Sequence, residues 1–169
     1  DLATSVEHIP VFLRELQRGA DVVIASRAAR GAVTIGAPAS RFLLGKGFNF
    51  LVQALLLPGI QDTQCGFKAF RADVARGLFN SLLVFEDSAG TTKGPRVTAF
   101  DVELLVLAAR WGYSIQEMPV RWQYYKTRRV NPVKDAYRMF SEVLHVWLND
   151  RRGRYRLAAT PVTHSDRTA

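Results

Sequence analysis

Cysteine and histidine are scarce in this sequence of 169 residues. Cys65 is the only cysteine, so no disulfide can form within the chain, and a single thiol is compatible with a reducing compartment. The three histidines, at positions 8, 145 and 164, show none of the short spacings that zinc ligands have. These shortages argue against a disulfide-stabilised domain and against a zinc site.

Long apolar runs are missing as well. The longest weakly charged run, residues 47–60, is shorter than the roughly 20 residues that a membrane-spanning helix needs, and it contains Asn49 and Gln53. The chain starts with DLATSVEHIP, which has neither a methionine nor the basic start of a signal peptide. The sequence therefore predicts no transmembrane helix and no signal peptide, and its first residues are typical of the middle of a protein.

Acidic residues are outnumbered, with 15 Asp and Glu against 23 Lys and Arg, and the net charge is +8. A basic balance favours a polyanionic partner, which is a nucleic acid, a phosphorylated substrate or an anionic membrane surface. A solvated basic surface would give the same composition. No motif of a nucleic-acid-binding fold is present, and the sequence Gly-Lys-Gly at residues 45–47 lacks the spacing of a P-loop.

Hydrophobic periodicity predicts an α/β chain in which few strands alternate with helices. The continuous apolar run of residues 21–26 predicts a strand that is buried on both faces. The other predicted elements are helices 5–19, 39–57, 71–83, 98–111 and 132–150, a loop with a strand at 62–70, and a strand at 114–125. Three strands are few for a doubly wound sheet, so we expect an incomplete α/β domain over residues 1–150 and a basic, disordered tail over 151–169.

Arginines and a serine surround the end of the predicted buried strand and the start of the next helix. Arg27 directly follows the strand, and the carboxyl ends of strands are where open α/β sheets bind ligands. Arg41 lies in the first turn of the helix beside Ser40, where a cation opposes the helix dipole unless an anion is bound. The pattern fits a phosphate site and solvent-facing arginines equally well.

Two further groups of polar residues have alternative explanations. Asp62, Gln64 and Lys68 would share one face of a strand, which is either a ligand-binding row or, by preference, a solvent face. Asp101 and Glu103 begin a helix, where acids suit the dipole, and capping with Thr98 explains Asp101.

A third group is basic and precedes the last predicted helix. Residues 126–131 form a loop that contains Arg129, and the amphipathic helix 132–150 follows it. The loop could bind a phosphate, and the helix could lie on an anionic bilayer or pack on the core.

Several of these segments occur together in a specific order. They are ADVVIASR at 20–27, Arg41, DTQCGFKAF at 62–70, FDVELL at 100–105, PVRW at 119–122 and DAYRM at 135–139. In this order they resemble the dolichyl-phosphate glucosyltransferase and dolichyl-phosphate mannose synthase branch of the family-2 glycosyltransferases, with the glucosyl group closer. The resemblance extends from residue 1 to about residue 147.

The resemblance implies an incomplete GT-A fold, a Rossmann-like sheet flanked by helices. It also implies that Asp1 is the last acid of a D-x-D motif, which holds a divalent metal, Mg²⁺ or Mn²⁺. The nucleotide-binding half would then precede Asp1, and the chain alone would be inactive. Residues 86–96 depart from the family, because they make a longer loop than usual.

The resemblance assigns roles to particular residues. In the family, Arg27, Ser40 and Arg41 match positions that grip the acceptor phosphate, and Arg129 matches a loop that closes over the phosphates. Asp101 and Glu103 match an acidic pair at the reaction centre. Gln64 is placed with them as catalytic, and the residues expected to line the site are Asp62, Lys68 and Trp122.

The implied reaction is inverting transfer of a hexose, glucose rather than mannose, from UDP-glucose or GDP-mannose to a polyprenyl or dolichyl phosphate. The resemblance places it at the cytoplasmic face of a membrane, on a peripherally attached protein that binds no nucleic acid. Two alternatives are a soluble family-2 transferase with a glycan or small-molecule acceptor, and a non-catalytic module that binds anionic membranes.

Overall fold

The structure, a computed structural model, describes residues 3–84, 99–125 and 132–155, with the backbone alone for residues 40–41 and 132–135. A 3₁₀ turn at Val6–His8 leads into the first helix, which has a proline in its first turn. The helices are α1 Ile9–Gln17, α2 Ala39–Leu55, α3 Ala72–Phe79, α4 Phe100–Arg110 and α5 Pro132–Arg151. The strands are β1 Val22–Ser26, β2 Val33–Ile35, β3 Lys68–Phe70, β4 Ile115–Pro119 and β5 Arg121–Gln123.

Strand β1 is the centre of a mixed sheet with the order β3-β1-β4. It pairs with β4 in parallel and with β3 in antiparallel orientation, so that Ile24 lies between Lys68 and Glu117. All five residues of β1 are buried, which confirms the prediction of a strand covered on both faces. The observed architecture is α/β, with a small sheet between helices.

The two faces of β1 pack against different cores because its side chains alternate. Val22 and Ile24 belong to the larger core, to which α2, α3, α4 and α5 contribute. Val23 and Ala25 face Phe12 of α1. Three layers result, with helices on both sides of the central strand.

The segment predicted as one strand at 114–125 is two strands in different sheets. Pro119 is the last residue of β4, which lies at the edge of the sheet, where proline is tolerated. Val120 is buried, and the chain then enters β5, which pairs with β2 in a separate two-stranded sheet. Strand β2 lies within residues 27–38, between the predicted strand 21–26 and the predicted helix 39–57, where no strand or helix was predicted.

The predicted tail starts later than residue 151. Tyr155 is 1% exposed, its hydroxyl donates to Glu103 Oε1 at 2.8 Å, and its carbonyl accepts from Trp111 Nε1 at 2.8 Å. Residues 151–155 are therefore part of the fold, while 156–169 lie outside the described residues, as do the loops predicted at 86–96 and 126–131. Across the described ranges, no helix is both long and apolar enough to cross a bilayer.

Candidate acceptor site at the edge of the sheet

Three parts of the chain meet where β1 ends. Strand β4 is parallel to β1 and ends beside it, with Pro119 opposite Ser26. Strand β3 runs the other way, so it begins at this edge with Lys68. The segment 61–67, which precedes β3, therefore arrives beside the residue that follows β1. This reversal brings polar residues from distant parts of the sequence together.

Arg27 and Asp62 form a bidentate ion pair at this edge. Arg27 donates from Nε to Oδ2 at 2.7 Å, from Nη2 to Oδ1 at 2.8 Å and from its backbone N–H to Oδ2 at 2.9 Å. The guanidinium carbon also lies 5.2 Å from the ring centroid of Trp122, within the range of a cation–π contact. Burial alone would raise the pKa of Asp62, but the hydrogen bonds and charge of Arg27 outweigh it and lower that pKa.

Lys68 and Asp101 form a second, deeper pair. Lys68 Nζ donates to Asp101 Oδ1 at 2.8 Å and to the carbonyl of Cys65 at 2.6 Å, and its side chain is 5% exposed. Burial raises the pKa of Asp101, and the charge of Lys68 offsets part of that rise. The helix has Ala99 as its N-cap without a side-chain cap, so the carboxylate of Asp101 serves Lys68 rather than a capping box.

Gln64 lies in the segment 61–67, which precedes β3. Its backbone N–H donates to Asp62 Oδ1 at 3.2 Å, a local bond that shapes the turn. Its side-chain Nε2 is buried and has no hydrogen-bond partner within the described part of the chain. A buried donor without a partner is rare and costly, so this amide is suited to an oxygen atom of a ligand.

Glu117 of β4 is a site residue that the sequence reasoning missed. Its Oε2 accepts from the backbone N–H of Gln61 at 2.9 Å, and its Oε1 accepts from that of Asp62 at 3.0 Å. The signal was an acid two residues before PVRW, within the predicted strand 114–125. Reading 114–125 as a single extended strand hid this position.

Comparison with known proteins gives the family. No protein-family model matches the chain. It is 37% identical over 120 residues to a human dolichyl-phosphate beta-glucosyltransferase, covering 71% of the chain and 34% of that protein. The corresponding enzyme of Drosophila melanogaster is 35% identical over 119 residues, which are 70% of the chain and 33% of the relative.

The chain is a relative of the dolichyl-phosphate β-glucosyltransferases. This confirms the resemblance to that branch of the family-2 glycosyltransferases. A glycosyltransferase of Haloferax volcanii, AglD, is 30% identical over 148 residues, which are 87% of the chain and 22% of AglD. The chain spans about a third of the length of the dolichyl-phosphate glucosyltransferases that it matches.

Glu103, predicted beside Asp101 at the reaction centre of a glucosyltransferase, lies in the core. It is fully buried, and Oε1 accepts from the backbone N–H groups of Leu83 and Val84 and from the hydroxyl of Tyr155. The carboxylate therefore connects α4 with residues 83–84 and with Tyr155. Its predicted role in transfer stays a prediction.

The remaining residues predicted for the site are only partly described. Ser40 and Arg41 lie in the first turn of α2, as predicted, but their side chains are not described. Asp1 and Arg129 lie outside the described residues. The sheet edge thus brings together Arg27, Asp62, Lys68, Gln64, Trp122 and Asp101.

A metal site is not formed by the residues that the structure describes. No group of three or more His, Cys, Asp or Glu side chains there is placed to hold an ion. The carboxylates of Asp62 and Asp101 are occupied by Arg27 and Lys68. These acids therefore do not fit a metal-binding role, and the predicted ligand Asp1 lies outside the described ranges.

Proposed function

We propose that the protein containing this chain transfers glucose from a nucleotide sugar to dolichyl phosphate or another polyprenyl phosphate, and that the sheet edge holds the acceptor phosphate. The observation that carries the proposal is that Arg27 and the backbone of Gln64 both donate to Asp62, while the buried Nε2 of Gln64 has no hydrogen-bond partner among the described residues. Asp62 occupies Nε and Nη2, and no hydrogen bond from Nη1 occurs among the described residues. The oxygens of a phosphate are the acceptors that we propose for these two donors.

The charges of the described groups show that Arg27 does not suffice for a phosphate. The edge holds three carboxylates, Asp62, Asp101 and Glu117, against the two cations Arg27 and Lys68. A bound phosphate therefore needs further positive charge, and Arg41 and Arg129 are the cations that we propose for it. In an active site that excludes water, such fixed charges stabilise a reacting phosphate strongly.

The chemistry requires little proton transfer. A phosphate monoester is ionised at neutral pH, so one of its oxygens attacks the anomeric carbon without a strong general base. The bond from that carbon to the nucleoside diphosphate breaks, and the diphosphate leaves with the bonding electrons. In-line attack inverts the anomeric configuration. The Mg²⁺ or Mn²⁺ predicted at Asp1 stays a prediction.

The apolar surface of α2 supports a membrane-bound acceptor. Leu43 and Phe50 are 72% and 74% exposed, and Phe42 and Leu44 are exposed as well. Helix α5, which contacts α2, adds exposed Tyr137 and Phe140. We propose that these helices rest on the cytoplasmic leaflet, because large exposed apolar patches mark interaction surfaces. A soluble transferase with a glycan acceptor would have no need of this surface.

Transfer from UDP-glucose and from GDP-mannose to a polyprenyl phosphate tests the proposal, with this chain expressed in its complete reading frame. We expect transfer from UDP-glucose. No transfer from either donor by a folded protein would disprove the proposal.

Arg41→Ala tests the acceptor assignment in the same assay. We expect the KM for polyprenyl phosphate to rise roughly tenfold, since a charge-assisted bond to phosphate contributes about 1.5–3 kcal/mol. The KM for the donor should stay unchanged, and an equal rise in both would contradict the role of Arg41. Arg18→Ala is the control, because it removes an exposed arginine that precedes β1, at the opposite end of the strand from Arg27.

A further inference from the structure

Glu117 stands in direct contact with the loop that carries Asp62. Both of its carboxylate oxygens accept a backbone N–H, one from Gln61 and one from Asp62, at 2.9 and 3.0 Å. Its position on β4 is fixed by the parallel pairing with Ile24 of β1. The loop 61–62 is thus attached to the central sheet through one side chain.

Asp62 lies between Glu117 and Arg27. Its backbone N–H donates to Glu117, while its carboxylate receives the guanidinium and the backbone N–H of Arg27. A shift of the Asp62 backbone therefore displaces the acceptor of Arg27. Since Asp62 is 1% exposed, water has little access to replace the lost partner.

The carboxylate of Glu117 has a specific advantage over an amide. Each of its two oxygens accepts one N–H here, and glutamine would place an NH₂ donor against one of these N–H groups.

We propose that Glu117 is a positioning residue that holds Arg27, through Asp62, in the orientation that meets the acceptor phosphate. The inference rests on the proposed function, because it gives Arg27 a phosphate to meet. Glu117 itself contacts no substrate in this assignment.

Asp21 offers a matched control at the opposite end of the same strand pair. Its carboxylate is buried and accepts from the backbone N–H of Ser114 at 3.0 Å and from the Ser114 hydroxyl at 3.1 Å. Asp21→Asn therefore makes the same change of carboxylate to amide, beside the same two strands. Asp21 precedes β1, whereas Arg27 follows it, so this variant leaves the surroundings of Arg27 unchanged.

The experiment compares the full chain with its Glu117→Gln and Asp21→Asn variants, using farnesyl phosphate as the probe and calorimetry to measure its Kd. We expect Glu117→Gln to raise the Kd about tenfold and Asp21→Asn to change it less than about twofold, from the cost of one lost bond to a charged group. Equal effects of the two variants, or no effect of Glu117→Gln, would overturn the inference.

Hydrogen exchange of the Arg27 Nε–H, followed by NMR without ligand, separates this inference from the proposed function. Faster exchange in Glu117→Gln but not in Asp21→Asn supports the positioning role, and unchanged exchange contradicts it. If the unmodified chain binds no farnesyl phosphate and the complete protein transfers no sugar, the proposed function fails, while this exchange result still decides whether Glu117 positions Arg27.

Glu117→Asp provides a second variant should Glu117→Gln not fold. It keeps both oxygens on a shorter side chain, so we expect an intermediate Kd and intermediate exchange of the Arg27 Nε–H. Values equal to those of the unmodified chain would count against the inference.

Discussion

The carboxylate of Asp62 accepts from three nitrogen atoms of Arg27 and from the backbone N–H of Gln64. Replacing it with an amide, in Asp62→Asn, removes the charge and turns one acceptor into a donor. We expect the free energy of unfolding at pH 7 to fall by about 1.5–3 kcal/mol, the range for hydrogen bonds to charged groups. Urea unfolding measures this change.

The loss of unfolding free energy in Asp62→Asn should depend on pH. The pKa of Asp62 is lowered from its ordinary value of 3.8, so its ionised form stabilises the fold above that pH, and the contribution is lost as pH falls through the lowered pKa. The difference between the variant and the unmodified chain should therefore shrink below pH 3.8. A difference that stays constant down to acid pH would contradict this assignment. Asp73→Asn, in an exposed pair with Arg71, should change stability little.

For single residues, the sequence predicts which side chains are candidates for the site, but it does not predict which of them form ion pairs with each other. Arg27, Asp62, Lys68 and Asp101 were all selected from the sequence. Their pairing, Arg27 with Asp62 and Lys68 with Asp101, depends on the antiparallel direction of β3, which no local pattern encodes. Glu117 was missed because residues 114–125 were predicted to form one strand, which hid the end of β4 at Pro119.

Helix α2 is the element with the clearest exposed apolar surface. Phe50→Asp places a charge there without disturbing a buried residue, since Phe50 is 74% exposed. We expect binding to phosphatidylserine-containing vesicles to weaken about tenfold, from the lost burial of one aromatic side chain in the bilayer. Vesicle co-sedimentation measures it. Phe79→Asp, on exposed Phe79 of α3, is the control, and an equal loss there would contradict a specific role for α2.

Elements with strong local signals were predicted well. Strand β1 has a continuous apolar run, and helices α2 and α4 begin within two residues of their predicted starts. The strands β2 and β5 were not predicted as a pair, because each has three residues and gains its stability from the other. Short strands of this kind depend on tertiary contacts.

For the molecule as a whole, the position of Tyr155 shows that the fold continues past α5. A chain that ends at residue 155 should be as stable as the full chain if 156–169 adds nothing to the core. A chain that ends at residue 150 loses the Tyr155 contacts with Glu103 and Trp111. We expect that loss to lower the free energy of unfolding by about 3–5 kcal/mol, as for removal of a buried aromatic side chain.

Thermal and urea unfolding of the two shortened chains measure this difference. Equal stability of both would show that residues 151–155 are dispensable. The variant Tyr155→Phe separates the hydroxyl from the ring, since it removes the hydrogen bonds of the hydroxyl, including the one to Glu103, and keeps the buried ring.

The reversed direction of β3 has a consequence for folding during synthesis. Arg27 meets Asp62 across 35 positions, whereas the pairing of β1 with β4 brings together residues 93 positions apart, such as Asp21 and Ser114. Closing the shorter loop costs less chain entropy, so we expect β1 and β3 to pair while β4 is still emerging from the ribosome. Arg27 and Asp62 would then meet before Glu117 exists to fix them. The site would reach its final geometry only with the last long-range contact of the sheet.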